Sequence, residues 1–299
     1  MKKNDLIYEL LLILAAMIWG SSFVAQSAGG EVIGPWTFTC IRSFIAFIAI
    51  SAIVPVLDRY HYARKPETPE ENRYLWKAGI WVGIFVCLAT VMQQWGLQYT
   101  TVGKAGFLTT LYVVLVPVFS IFLGNRIGRN VWMAVVLAMT GIYFLSYTKG
   151  ETLAFGDLLV LICAVLFTVQ ILMLAHFSRN TDPVRLSARE FLVSGIICLI
   201  PMVLFERPSL ADLQAAAIPL LYAGLMSSGV AYTLQVVTQS KLDPTLASII
   251  MSLESVFAAI FGFLILHQVL SPRELLGCAL VFAAVILAQL PEKQKEQSA

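Results

Sequence analysis

Ten apolar stretches, each long enough to cross a bilayer, run through the 299 residues of this chain. A helical span needs about 20 residues to cross about 30 Å of hydrocarbon. The spans read as 6–26, 34–57, 75–98, 104–124, 130–148, 157–177, 187–205, 216–238, 245–266 and 273–290. They form two related sets of five. Because five is odd, the second set must enter from the face opposite the first. Inverted halves of this kind enclose a site near the bilayer midplane in many transporters. The expected fold is an all-α integral membrane protein with ten transmembrane helices, arranged as two inverted five-helix repeats around a central cavity. Residues 1–149 make the first repeat, 150–290 the second, and 291–299 a polar tail.

Composition supports lipid as the solvent. Apolar residues make up 59% of the chain, charged residues 13%, and the mean hydropathy is +0.81. Soluble domains sit near 45–50% and about 25%. A net charge of +2, with no basic run interleaved with aromatics, gives no sign of nucleic acid. Cys40, Cys87, Cys163, Cys198 and Cys278 lie singly in apolar runs and read as small buried hydrophobes. His61, His176 and His267 lack ligand spacing, so no metal or cofactor is expected.

Positive residues cluster in segments that share a side with the N-terminus. Of the 20 Lys and Arg residues, the opposite segments hold only Lys104, Lys149, Arg207 and Arg273, and Arg42 lies inside a span. Both termini are therefore expected in the cytoplasm, with the protein in the plasma membrane, the inner one in a bacterium. The first apolar run and Ala25-Gln26-Ser27-Ala28 imitate a secretory signal. The run continues past Trp19 to Val24, and losing it would break the repeat, so a retained first helix is expected. Short connections predict antiparallel packing of sequence neighbours.

The repeat is traceable. One offset brings Gln93 onto Gln235, Ala105 onto Ala247 and Leu111 onto Leu253; a slightly larger one brings Arg42 onto Arg189 and Phe44 onto Phe191. Ile18-Trp19-Gly20-Ser21-Ser22-Phe23-Val24, Ile41-Arg42-Ser43-Phe44 and the run Ala105–Pro117 resemble the first half of an EamA-type member of the drug/metabolite transporter superfamily. Ser252-Leu253-Glu254-Ser255-Val256-Phe257 resembles that family's second-half segment. The resemblance covers nearly the whole chain. It implies ten helices in an inverted repeat and export or exchange of amino acids, other metabolites or drugs. Two departures stand out. Asn125-Arg126 and His267-Gln268 lack the Glu of the family's frequent Gly-Glu-Arg, and Ser255 replaces a usual Pro, which should leave the ninth helix straighter.

Several residues stand out within this frame. Glu254 lies near the midplane, where an ionised carboxylate is costly and commonly serves transport. It is a candidate for binding a coupling proton or a cationic solute group; the alternative is a protonated carboxyl bonded between helices. Arg42 is the second charge inside a span. It is expected to pair with Glu254, contact an anionic solute or snorkel. Gln93, Gln94, Gln170 and Gln235 are amides that should point inward, either to a cavity or to another helix. Trp19, Tyr112 and Tyr232 are aromatic candidates for the cavity wall, whereas Trp36, Trp76 and Trp132 suit the interfaces. Pro117 should kink the fourth helix and is a hinge candidate. Gly79-x-x-x-Gly83 and Gly224-x-x-x-Ser228 read as close-packing positions.

The expected function is secondary transport by alternating access of a small neutral or zwitterionic solute, amino acid-like, or of a drug, with protons as a possible coupling ion. The expected partners are that solute and the lipid bilayer, and the expected state is a monomer. A channel or uncoupled facilitator is the alternative. A membrane-embedded enzyme is disfavoured, because neither HExxH nor a nucleophile–base pair appears, and GxxxxGK followed by Ser or Thr is absent.

Overall fold

The structure is a computed structural model describing residues 3–60, 65–100, 102–124, 127–146, 154–266 and 271–290. Apart from one short helix, Leu210–Ala215, the described helices group into ten. These are α1 (Lys3–Gly30), α2 (Pro35–Arg59), α3 (Pro69–Gly96), α4 (Val102–Phe122), α5 (Arg129–Ser146), α6 (Phe155–Phe177), α7 (Pro183–Glu206), α8 (Ala217–Gln239), α9 (Pro244–Met251 continued by Leu253–Leu266) and α10 (Pro272–Gln289). Eight are long and apolar enough to cross a membrane; α5 and α10 are shorter apolar helices. No strand occurs among the described residues. Asn125, Arg126, His267, Gln268, Lys149 and the tail 291–299 lie outside them.

Hydropathy alone places α3 and α7 too late. Their polar first turns are built by caps. Thr68 accepts from the Glu71 N–H ahead of Pro69, and Asp182 accepts from the Arg185 N–H ahead of Pro183. Proline also opens α2, α9 and α10, where its missing N–H costs nothing.

The closest helix pairs join one half to the other: α5 with α10, α2 with α7, α1 with α9, and α3 with both α6 and α7. Sequence neighbours pack more sparsely, contrary to what short connections suggested. Backbones approach closely where glycine sits at a crossing. A Cβ on Gly83 would lie 2.8 Å from the Glu190 carbonyl oxygen and 2.8 Å from Val193 Cβ. One on Gly224 would lie 3.2 Å from the Arg42 carbonyl oxygen and 2.7 Å from Ile45 Cβ. Thus α8 meets α2 as α3 meets α7, and the crossings relate Arg42 to Glu190, one residue beyond the Arg189 of the sequence offset.

The inversion is visible at the ends of α2 and α7. Asp58, near the end of α2, meets Arg185 in the first turn of α7 at 2.6 Å. Glu206, at the end of α7, accepts from the N–H groups of Trp36 (3.0 Å) and Thr37 (2.6 Å) in the first turn of α2. Each helix ends where its counterpart begins, so the related pair runs antiparallel. Likewise the Asn130 side chain at the start of α5 donates to the Leu290 carbonyl after α10, at 3.2 Å. Equivalent helices that are antiparallel cross the membrane in opposite senses, which defines two inverted five-helix repeats.

Candidate functional site

The middle of the molecule holds irregular helix in both halves. In α4 the regular turns stop at Thr109 and resume at Tyr112; in α9 they stop at Met251 and resume at Leu253. A back-bonded hydroxyl sits at each interruption. The Thr110 hydroxyl donates to the Phe107 carbonyl (2.9 Å), and the Ser252 hydroxyl to that of Ile249 (2.6 Å). Hydroxyls bonded back to the preceding turn compete with the backbone ladder and bend helices. The irregular turn of α4 therefore lies before Pro117, through which the helix continues; Pro117 is buried away from the cavity. Nor is α9 straightened by Ser255: it is interrupted at Ser252, one turn earlier. In α8 the centre widens to a π-helix over Ala223–Ala231, a form often found at functional sites.

These irregular turns border a narrow cavity of about 30 Å³ between the halves. Its wall takes Trp19 from α1, Arg42 from α2, Gln93 from α3, Tyr112 from α4, Tyr232 and Gln235 from α8, and Glu254 from α9. Sequence reasoning missed Phe23, Gln26, Thr109, Phe167, Ile171, Ser227 and Met251, which complete it.

The two charges at this wall are held differently. Arg42 is only 2% exposed. Its guanidinium donates to the Ser228 hydroxyl (2.8 Å), the Ser227 hydroxyl (2.9 Å) and Gln26 Oε1 (3.1 Å). The π-helical turn presents both adjacent serines to one guanidinium. Arg42 therefore neither snorkels nor pairs with Glu254, and its described hydrogen-bond partners are all neutral. Ser228 is thus a ligand of Arg42, beyond the close-packing role expected for it. Glu254 is 5% exposed and accepts from the Tyr112 hydroxyl at 3.1 Å. The two residues are 142 positions apart, the same separation as Thr110 and Ser252. They are equivalents in the two repeats and meet across the boundary between them.

The aromatic and amide residues divide. Trp19 packs edge-on to Tyr232 (ring centroids 5.0 Å), and Tyr232 edge-on to Phe191 (5.3 Å). Gln93 donates to the Thr109 hydroxyl at 3.1 Å. Among described partners the Trp19 indole N–H and Gln235 Oε1 are unbonded. Gln94 is fully buried and donates to the Gln26 carbonyl (2.8 Å), and Gln170 is fully buried with both amide atoms unbonded; neither lines the cavity. Away from it, Lys104 and the fully buried Asp157 form a 2.7 Å ion pair between α4 and α6 that sequence reading did not anticipate. Among the described residues no cluster of His, Cys, Asp or Glu is placed to hold a metal ion.

Ten apolar helices in inverted halves, eight of them long enough to cross a membrane, with a cavity of mixed polar and apolar lining between them, are the architecture of a membrane transporter. The sequence model of the EamA-like transporter family matches residues 6–147 and again 154–290, and the chain belongs to that family. An uncharacterized transporter of Archaeoglobus fulgidus is 32% identical over 94% of this chain and 85% of its own length. A WAT1-related chloroplastic protein of Arabidopsis thaliana is 25% identical over 94% of this chain and 69% of its own. A solved crystal structure with 21% identity has the same fold, with a TM-score of 0.76 over 94% of this chain and 96% of that one.

Proposed function

We propose that the protein is a secondary transporter that moves a small neutral or zwitterionic, amino acid-like metabolite, or a drug, by alternating access. The observation that carries this reading is a cavity between inverted halves, with Arg42 and Glu254 both at its wall. The guanidinium, whose described hydrogen-bond partners are all neutral, suits the carboxylate of a solute. The Glu254 carboxyl suits an amino group, with Tyr112 orienting it. Trp19, Phe23, Phe167 and Tyr232 supply apolar contact, and Gln93 and Gln235 supply amide contacts.

The repeats 1–149 and 150–290 are read as the two moving bodies. The irregular turns at Thr110 and Ser252 are the points where α4 and α9 can bend; Pro117 is assigned a static role. The protein is read as a monomer in the plasma (bacterial inner) membrane, with both termini cytoplasmic, exporting or exchanging its solute.

Reconstitution into liposomes tests this reading. Saturable uptake that is stimulated by internal solute is the expected result, and competition among amino acids, sugars and cationic dyes identifies the class. Conductance at channel rates, or uptake that never saturates, would overturn it.

A further inference from the structure

A second carboxylate is buried away from the cavity. Glu190, in the third turn of α7, is fully buried. Its Oε1 receives one long bond, 3.3 Å, from the Ser187 hydroxyl, and its Oε2 has no partner among the described residues. A carboxylate left in this state is costly, because burial without compensating bonds disfavours a charge. An apolar side chain would fill the same volume without that cost. The other half holds Arg42 at the related position, on the evidence of the Gly83 and Gly224 crossings. Each of these ionisable groups therefore lies about 12 Å along a helix that starts from an opposite face.

The surroundings of Glu190 reach α8, the helix that brings Tyr232 to the cavity. The Ser187 hydroxyl lies 3.1 Å from the Thr233 hydroxyl on α8. Thr233 follows Tyr232, which lines the cavity. From α8, then, the groups on this side are the Tyr232 phenol and the Thr233 hydroxyl, the latter reaching Glu190 through Ser187. From α3 it meets Gly83, which brings no side chain; the nearest titratable group along α3, Cys87, is turned to Cys198 at 3.2 Å. Toward α2, Ser43 pairs with Ser194 at 3.0 Å. The cations of its own helix are engaged elsewhere: Arg185 with Asp58, and Arg189 with Asn72 and the Trp76 ring.

We propose that Glu190 is the site where this transporter takes up and releases a coupling proton, an inference that rests on the solute-carrier reading above. Uptake transfers H⁺ from a hydronium ion, entering from the face where α7 starts, to a carboxylate oxygen. It leaves water and a neutral carboxylic acid. Release passes the H⁺ through the Ser187 and Thr233 hydroxyls to a water molecule beyond Thr233, leaving hydronium and a carboxylate, when solute presses on Tyr232. Glu254 is thereby left to the solute.

Two measurements test it. Infrared spectroscopy of the purified full chain in D₂O should show a carboxylic-acid C=O band that titrates with pH and is lost in Glu190→Gln. In proteoliposomes, a radiolabelled mixture of the standard amino acids should show counterflow in both wild type and Glu190→Gln, while accumulation driven by a pH gradient is lost in the variant. Glu190→Gln that still accumulates amino acids on a pH gradient, or a spectrum unchanged by the substitution, would overturn the proposal. Absence of counterflow in the wild type sinks the solute reading instead, and the infrared result then decides the fate of Glu190. If Glu190→Gln does not fold, Glu190→Asp must shift the titration of the band; an unmoved band counts against the site.

Discussion

Gly20→Ala probes the contact on which the cavity depends. Gly20, on α1, lies against the turn of α9 that carries Glu254. An added methyl would lie 2.5 Å from Phe257 Cβ, 2.7 Å from the Ala258 nitrogen and 2.8 Å from the Glu254 carbonyl oxygen. Apolar carbons prefer about 3.5–4.0 Å, so α1 and α9 must separate by about 1 Å. The atoms struck are backbone or Cβ, which no rotamer change can move. Such overpacking costs about 1–3 kcal/mol, and alanine recovers about 0.5–1 kcal/mol over glycine in a helix. The net loss centres on about 1 kcal/mol, roughly 2 °C in the melting temperature of a chain of this size. Gly106→Ala is the control, because its methyl would meet only Ala258 Cβ at 3.8 Å and Phe23 Cε2 at 4.0 Å. Thermal unfolding in detergent should show Gly20→Ala lowered and Gly106→Ala unchanged or raised. A Gly20→Ala protein as stable as wild type would refute the close approach of α1 and α9.

Three further outcomes follow from the geometry. Arg42→Lys keeps the charge but replaces a fork that reaches Ser227, Ser228 and Gln26 by a single ammonium; KM for a carboxylate-bearing solute should rise about tenfold, or about 1.4 kcal/mol, with melting temperature the control for folding. Tyr112→Phe removes the bond to Glu254 and should cost only about 0.6 kcal/mol of stability, while KM for an amine-bearing solute rises in counterflow assays. Glu206→Gln weakens the carboxylate cap on α2, about 1 kcal/mol; hydrogen exchange at the Trp36 and Thr37 amides should quicken, and exchange in α9 should not.

Hydropathy carries the spans because a bilayer demands continuous apolar length, and little else in the chain competes with that signal. It misplaces the starts of α3 and α7, because Glu70, Glu71 and Arg185 are polar residues in helical first turns built by caps. Depth along a span is also legible: Trp19, Gln93, Tyr112, Gln235 and Glu254 are deep in their spans by sequence and line the cavity. Which way a side chain faces is not. A helix that is apolar all round presents no stripe to orient it, so Gln94 and Gln170 look like Gln93 and Gln235 in sequence yet point elsewhere. Ser227 and Ser228 gain meaning only from the π-helical turn that brings both to Arg42. Proline is the obvious breaker, so Pro117 reads as the kink and Ser255 in place of Pro as a straighter α9. The irregular turns lie instead at Thr110 and Ser252, whose hydroxyls bond back to the preceding turn.

Upside-down halves predict that the α2–α3 and α7–α8 connections, equivalent in the two repeats, emerge on opposite sides of the bilayer. Glu67→Cys and Gln214→Cys place a thiol at an exposed position in each, while the native cysteines are buried or half-buried. A membrane-impermeant maleimide applied to intact cells should label Gln214→Cys, and should label Glu67→Cys only after the membrane is opened. Labelling of both from the same side would contradict the inverted architecture and everything built on it.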